Sequence, residues 1–277
     1  HFFMHVAKID FFPFKFESRF FKPYLLFYFC AKFKVMQQNY PQQNALSTVL
    51  NNAFNYWKAT LPYQVMMSLM VFCILFAVYI FFGNYYEVLP KMMTLIDENK
   101  TDIQGLQKGI QALAQDPNYV SFMYVILATK VFLFPLEVGF FKIYRKLDLK
   151  EKTTLSDLFS GYSGINFFIY ISYFFFWQFV FTYTASTIIL GILWIITTFL
   201  VTPLMFFANK TLFNAILINF KALKTHFPIV FIGFIVALIF KYAGFMVFFI
   251  GGLFTYPFMT AMIYAIYQQV FSEQSES

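Results

Sequence analysis

Two cysteines, Cys30 and Cys73, occur in the chain, and Cys73 falls in the middle of an apolar run. A disulfide framework and a cysteine metal site are therefore excluded, although two isolated thiols say nothing about redox compartment. Histidine is as scarce, with His1, His5 and His226 the full complement. A zinc or non-haem iron enzyme needs several imidazole or thiolate ligands, so no metal site is expected. No His-Glu-x-x-His run occurs, and Gly161 to Gly164 is not a Gly-x-Ser-x-Gly elbow because Ile165 stands where the last glycine belongs. Glycine-rich phosphate loops are missing too, and no cofactor is expected. Charge is sparse at 12% of residues.

What the chain has instead is apolar length. Sixty per cent of the 277 residues are hydrophobic and 24% aromatic, and the mean hydropathy is +0.64. A soluble domain of this size does not reach such values. A helix needs about 20 mostly apolar residues to cross a bilayer, and six stretches qualify, near 63–82, 119–144, 165–184, 186–208, 227–248 and 250–270. None alternates as a lipid-facing barrel strand would, so helices are predicted throughout. The net charge of +7 is read as membrane sidedness, not nucleic-acid binding, because the basic residues lie in short segments beside apolar runs. One side would hold Lys58, Lys142, Arg145, Lys146, Lys150, Lys152, Lys210, Lys221 and Lys224. The other would hold Lys91, Lys100 and Lys108, diluted by Glu87, Asp97, Glu98, Asp102 and Asp116. That bias predicts a multi-pass protein of a cell membrane, of bacterial inner-membrane type, with both termini cytoplasmic.

Residues 1–35 read differently from the remainder. They are rich in Phe and Lys without helical or strand periodicity and resemble translated AT-rich upstream DNA. The longest apolar run there, Tyr24 to Ala31, is short for a signal-peptide core and is followed by Lys32. The expectation is a native start at Met36, with residues 36–277 forming one membrane domain. The alternative is a basic, aromatic arm on the membrane surface.

Each pair of spans is led by a short amphipathic segment. Leu46, Val49, Leu50, Ala53, Phe54 and Trp57 share one helical face. Leu155, Leu158, Phe159 and Tyr162 begin the same pattern, with Thr154 and Asp157 as a capping pair. Leu212, Ala215, Ile216, Asn219, Phe220 and Leu223 repeat it, and Lys58 and Pro62 align with Lys224 and Pro228. The second span of each pair carries a proline: Pro135, Pro203 and Pro257. The predicted fold is therefore an all-α membrane protein of six transmembrane helices, arranged as three parallel helical-hairpin repeats, each preceded by an interfacial amphipathic helix. An extracytoplasmic insertion near 83–117 enlarges the first unit. It reads as two helices with stripes Leu89, Met92, Met93, Ile96 and Ile103, Leu106, Ile110, Leu113. Segment 88–114 could serve a protein partner or self-association, or pack on itself.

The charges inside the apolar runs are the candidate site. Lys130 and Glu137, seven residues apart, share a face of the second span. A charge at mid-bilayer costs about 2.5–3.5 kcal/mol, so this face is expected to look into the bundle or a wet cavity. The candidates for a polar or ion path are Lys130, Glu137 and Gln178. The alternative is a structural cluster in which tyrosine hydroxyls, Gln178 or the carbonyl freed by Pro135 satisfy the two charges. Counting helical depth makes Lys241, near the outer end of the fifth span, a poor partner for Glu137. Lys130 has no charged counterpart at Thr198 or Gly252, nor Glu137 at Met205 or Met259.

The stretch Pro135 to Tyr162 resembles a pattern in bacterial six-span integral membrane proteins of unknown function, related to the membrane domain of glycerophosphodiester phosphodiesterases. Pro135, Leu136 and Gly139 match its Pro-Leu-x-x-Gly turn, and Ser156, Leu158, Phe159 and Gly161 approximate its second half after a basic loop. The resemblance implies an all-helical membrane protein. No phosphodiesterase barrel is fused here, so that activity is not carried over. Similar proteins labelled carotenoid oxygenases would need a histidine cluster that this sequence lacks. The expected function is a non-enzymatic membrane protein in contact with membrane lipids, an envelope or partner-organising module. The alternative is a transporter or channel for a lipid-like or small polar ligand. Third is a membrane enzyme using Glu137, Asp157 and the basic loop.

Overall fold

In a computed structural model of the chain, residues 42–247 and 250–272 are described; the expectations for 1–35, including the Met36 start, lie outside them. Every regular element among the described residues is helical. In chain order they are α1 (Gln42–Ala59), α2 (Leu61–Tyr85), α3 (Val88–Glu98), α4 (Ile103–Leu113), α5 (Pro117–Asp148), a 3-10 helix (Leu155–Tyr162), α6 (Ile165–Thr184), α7 (Ile188–Thr198), α8 (Val201–Ala208), α9 (Leu212–Val247), α10 (Gly251–Thr255) and α11 (Phe258–Ser272).

Five of the six apolar stretches form helices long and apolar enough to cross a membrane: α2, α5, α6, α7 with α8, and α9. Their outer faces carry large exposed apolar side chains such as Phe76, Phe81, Phe132, Phe168, Phe179 and Ile239, as a lipid-facing surface requires. The stretch predicted at 250–270 is divided into α10 and α11 at Tyr256 and Pro257. A proline lacks the N–H that the preceding turn needs and its ring crowds that turn, so a break at Pro257 is the expected response. The same cause accounts for the interruption between α7 and α8 at Phe199 and Leu200, just before Pro203. Helix α5 runs through Pro135 without a break.

Helix α11 lies between the two main clusters of buried side chains. One gathers Leu136, Phe140 and Tyr144 of α5, Leu204 of α8, and Ala261 and Tyr264 of α11. The other gathers Val49 and Ala53 of α1, Leu200 between α7 and α8, Val230 and Phe234 of α9, and Phe258, Met262 and Ile266 of α11. Lipid tails are as apolar as these side chains, so close packing and polar contacts, not transfer from water, hold such a bundle together.

The amphipathic leads use their apolar faces on the protein itself. Val49, Leu158 and Ala215, which occupy the same position of the three patterns, are all fully or nearly fully buried. The first lead is α1, packed along α11. The third is the start of α9, which is continuous with its span except for a kink at His226 (φ −112°, ψ 22°). Thr60, between α1 and α2, has almost the same dihedral angles (φ −106°, ψ 8°). It precedes Pro62 by two residues, as His226 precedes Pro228, so a proline resets the helix direction in both places. The second lead is a 3-10 helix, and it leaves Leu155 and Phe159 exposed; the interfacial α-helix expected there is a tighter, shorter element.

Between 83 and 117 the chain forms the two expected helices, α3 and α4, closed by an ion pair from Lys91 to Asp116 of 2.6 Å. That ammonium holds the Asp116 carboxyl below the usual carboxylate range. The stripes are only partly used: Leu113 is buried, whereas Met93, Ile96 and Ile103 are exposed, and Leu95 packs where Gly109 leaves room.

Candidate functional site

Three helix segments carrying the three prolines meet inside the bundle, since α5, α8 and α11 contact one another pairwise. Pro135, Pro203 and Pro257 are all buried. At this meeting point lies a cavity of about 70 Å³, lined by Phe134, Glu137, Val138 and Phe141 of α5, Thr202 of α8, Lys241 of α9, and Tyr256, Met259, Thr260 and Ile263 around α11. Glu137 follows Pro135 by two residues, Thr202 immediately precedes Pro203, and Tyr256 immediately precedes Pro257. A helix interrupted or loosened by proline offers backbone and side-chain polarity at a depth where a regular helix offers none. Each proline thus stands within two residues of a side chain that lines the cavity, although no proline lines it.

The Tyr256 hydroxyl donates to Glu137 Oε1 at 2.9 Å. Lys241 Nζ sits 4.3 Å from the centroid of the Tyr256 ring, within the range of cation–π attraction. Among the described residues no ion pair joins Glu137 to Lys241. A carboxylate and an ammonium thus face one small cavity with a phenol between them. Thr255 fixes the approach of Lys241, since its hydroxyl donates to the Lys241 carbonyl at 3.1 Å. The close crossing of Gly244 on Gly251 brings the ends of α9 and α10 together where any side chain at either position would collide with backbone.

Of the residues singled out from the sequence, Glu137 lines this cavity, while Lys130 is exposed on the outer surface and Gln178 is half-buried away from it. Glu137 therefore meets neither. Its neighbour is Lys241, the residue that depth counting set aside. Helix α9 is kinked at His226, and its far end lies against α10 through Gly244 and Gly251, which brings Lys241 to the cavity. The carbonyl left without its helical donor by Pro135 is that of Val131, four residues earlier; beside it, the Tyr162 hydroxyl donates to Phe132 O at 2.8 Å.

Gly139 and Gly161 have a different task. A side chain at Gly139 would run into the Leu158 carbonyl, and one at Gly161 into the Pro135 carbonyl. The stretch from Pro135 to Tyr162 is thus a mutual docking of α5 and the 3-10 helix. Asp157 locks it, with its side chain 2% exposed and ion pairs of 3.1 Å to Lys142 and 2.8 Å to Lys146. Its Oδ2 also accepts the Thr154 N–H at 2.9 Å and hydroxyl at 3.0 Å. Burial alone would raise the Asp157 pKa, but the Lys146, Thr154 and Lys142 hydrogen bonds outweigh it and hold the carboxyl well below the usual carboxylate range. Asp157 and the lysines of the basic loop therefore satisfy each other, apart from the residues that line the cavity of Glu137.

A second polar group went unread in the sequence. Asp148, at the end of α5, accepts the Tyr56 hydroxyl at 2.5 Å and, on its other oxygen, the Tyr264 hydroxyl and Gln268 Nε2. Burial first, and then the Asp148 hydrogen bond and charge, push the Tyr56 hydroxyl well above its ordinary value. Nothing in the spacing of Tyr56, Asp148 and Tyr264 signals the contact, since they lie on three elements far apart in sequence. The cluster ties α1, α5 and α11 together.

Among the described residues, no three or more His, Cys, Asp and Glu side chains gather as a metal site would require. No family model matches the chain, and neither a curated protein nor a solved structure matches it.

Proposed function

We propose that the chain is a non-enzymatic, six-span membrane protein that binds a small polar or ionic group at the meeting point of its three proline-bearing segments, in the manner of a carrier or channel. The observation that carries this reading is the pairing of Glu137 and Lys241 across a cavity among apolar helices, without an ion pair between them. Two opposite charges held in a bundle at a distance leave each available to a ligand, and charges inside membrane segments are expensive unless they have work to do.

The architecture we propose is three parallel hairpin units closed in a ring. Each lead supplies a side chain to the proline-bearing partner of the preceding unit. Tyr162 donates to Phe132 O and Trp57 Nε1 donates to Phe254 O at 2.9 Å, each carbonyl lying three residues before a proline. Asn219 Nδ2 donates to Thr197 O at 2.5 Å, in the turn before the break at Pro203. Pairing lead two with unit one, lead three with unit two, and lead one with unit three supports approximate threefold closure, with the cavity near the axis. The sixth crossing would be α10 and α11 together. The Lys and Arg bias supports cytoplasmic termini in a cell membrane of bacterial type. The resemblance to six-span membrane proteins agrees with this layout but brings no ligand with it.

A second reading rests on α3 and α4. Exposed Met93, Ile96 and Ile103 favour a partner-binding or self-associating arm.

The test of the principal reading is native mass spectrometry of the protein extracted from its own membrane. Wild type should carry a bound species that Glu137→Gln loses while the melting temperature holds. A variant that keeps the species, or that loses melting temperature instead, makes Glu137 a structural residue.

A further inference from the structure

A second cavity adjoins the first. It has a volume of about 210 Å³, is lined by Ser68, Val71, Phe72 and Leu75 of α2, Phe245 of α9, and Ile250, Gly252, Leu253 and Tyr256, and is almost wholly apolar. Tyr256 belongs to both cavities. The same elements build both walls: Lys241 and Phe245 are one turn apart on α9, as are Gly252 and Tyr256 at α10. An ionic chamber and a greasy one thus lie one helical turn apart, with Tyr256 in the wall of each. Apolar cavities of roughly 150 Å³ already admit a benzene ring, so this one has room for part of an acyl chain.

Two lining residues, Ser68 and Tyr256, carry hydroxyls, and the Tyr256 hydroxyl is already given to Glu137. Ser68 is 5% exposed, and its hydroxyl has no hydrogen-bond partner. A buried hydroxyl left unsatisfied costs about 1–3 kcal/mol, and a regular helix commonly avoids that cost by turning a serine onto its own carbonyl. The ester carbonyl at the head of an acyl chain is an acceptor of the right kind.

We propose that the two cavities are one site for an amphiphile of the surrounding membrane, a zwitterionic phospholipid with a primary ammonium head. This rests on the polar-ligand reading of Glu137 and Lys241 and names the ligand class. The ammonium pairs with Glu137, the phosphate with Lys241, an acyl ester with Ser68, and one chain fills the apolar chamber. The charges decide the headgroup. Glu137 and Lys241 sum to zero, so a ligand that also sums to zero and carries both signs leaves no net charge in the bundle, whereas an anionic lipid leaves Glu137 opposed by a second negative charge. A primary ammonium brings N–H donors that the Glu137 carboxylate accepts, and a trimethylated one has none.

Delipidated protein in detergent, titrated separately with phosphatidylethanolamine, phosphatidylcholine and phosphatidylglycerol of matched chains, tests this by native mass spectrometry. Phosphatidylethanolamine should be retained at least about tenfold better than phosphatidylglycerol, equivalent to about 1.4 kcal/mol. Val71→Trp, which fills the apolar chamber, should abolish retention. Should that variant lose melting temperature, Ser68→Ala is the measure, because it removes the hydroxyl without bulk; it should weaken retention several-fold without lowering the melting temperature. Glu137→Gln should erase the headgroup preference. Equal or better retention of phosphatidylglycerol overturns the headgroup assignment, and retention unchanged in both Val71→Trp and Ser68→Ala overturns the acyl site. If the species that depends on Glu137 in natively extracted protein is polar but not a lipid, the carrier reading stands and the lipid assignment falls. If no species depends on Glu137, both fall.

Discussion

Asp157 shows at the scale of one residue how this chain handles charge. The carboxylate is buried against two lysines and the Thr154 backbone, so removing its charge leaves Lys142 and Lys146 without their countercharge at the base of the docked 3-10 helix. Asp157→Asn should cost about 2–3 kcal/mol, read as a lower melting temperature with the cavity of Glu137 undisturbed. The pH dependence has a definite sign. The folded carboxyl titrates below the usual carboxylate range, so its stabilisation is complete above the unfolded value near 4 and is lost as pH falls through the folded value. Wild type should therefore lose melting temperature below about pH 4 more steeply than Asp157→Asn; parallel curves would remove Asp157 from the stabilising set. Glu137 was legible because a carboxylate within an apolar run is conspicuous. Lys241 was equally visible as a letter, but its partnership with Glu137 depends on how α9 lies against α10 through Gly244 and Gly251, and no spacing rule within one helix encodes a crossing between two.

The elements were read most securely where periodicity and proline act locally. One position of each lead is buried as the 3.6-residue period marks, at Val49, Leu158 and Ala215, while Leu155 and Phe159 of the second lead are exposed; the prolines were read in their spans, but the breaks near them at Leu200 and Tyr256 divide stretches expected to be continuous. What the period could not supply is the 3-10 form of the second lead, because that form answers to the neighbouring backbone. Leu158 rests on Gly139 and Gly161 rests on Pro135, with no room for a side chain at either glycine. Gly139→Ala and Gly161→Ala should each lower stability at the upper end of about 1–3 kcal/mol, measured by thermal unfolding in detergent, and the double variant should cost less than the sum because both prise apart the same contact. Strictly additive losses would mean that the two glycines serve separate contacts. The α3–α4 hairpin is bound far more lightly, chiefly through Lys91–Asp116 and the packing of Leu89 on Gly83. Replacing 88–114 by a short flexible turn should leave the melting temperature within a few degrees and the lipid preference intact; loss of the fold would show that the hairpin supports the bundle.

For the whole molecule the number of crossings sets which side each end of the chain faces. Five helices that cross would leave the two ends of the chain on opposite sides of the membrane, and six would return them to the same side. The long apolar runs of the sequence favour six, whereas length and hydropathy of single helices give five, because Pro257 divides the last stretch. The packing favours the return. Gly251 lies against Gly244, and Met262 and Ile266 lie against Gly233, so α10 and α11 run back along α9 in the opposite direction. From Gly251 to Ser272 the chain spans about 30 Å at 1.5 Å per helical residue, the thickness of the hydrocarbon layer. In the six-span layout proposed above, α9 crosses and this antiparallel companion recrosses. Reporters that fluoresce only in the cytoplasm, fused at either end of the chain, should both be bright, and a reporter placed between α3 and α4 should be dark. A dark C-terminal fusion beside a bright N-terminal one would make α10 and α11 a re-entrant segment. It would also remove the threefold ring, since the third unit would then lack its second crossing.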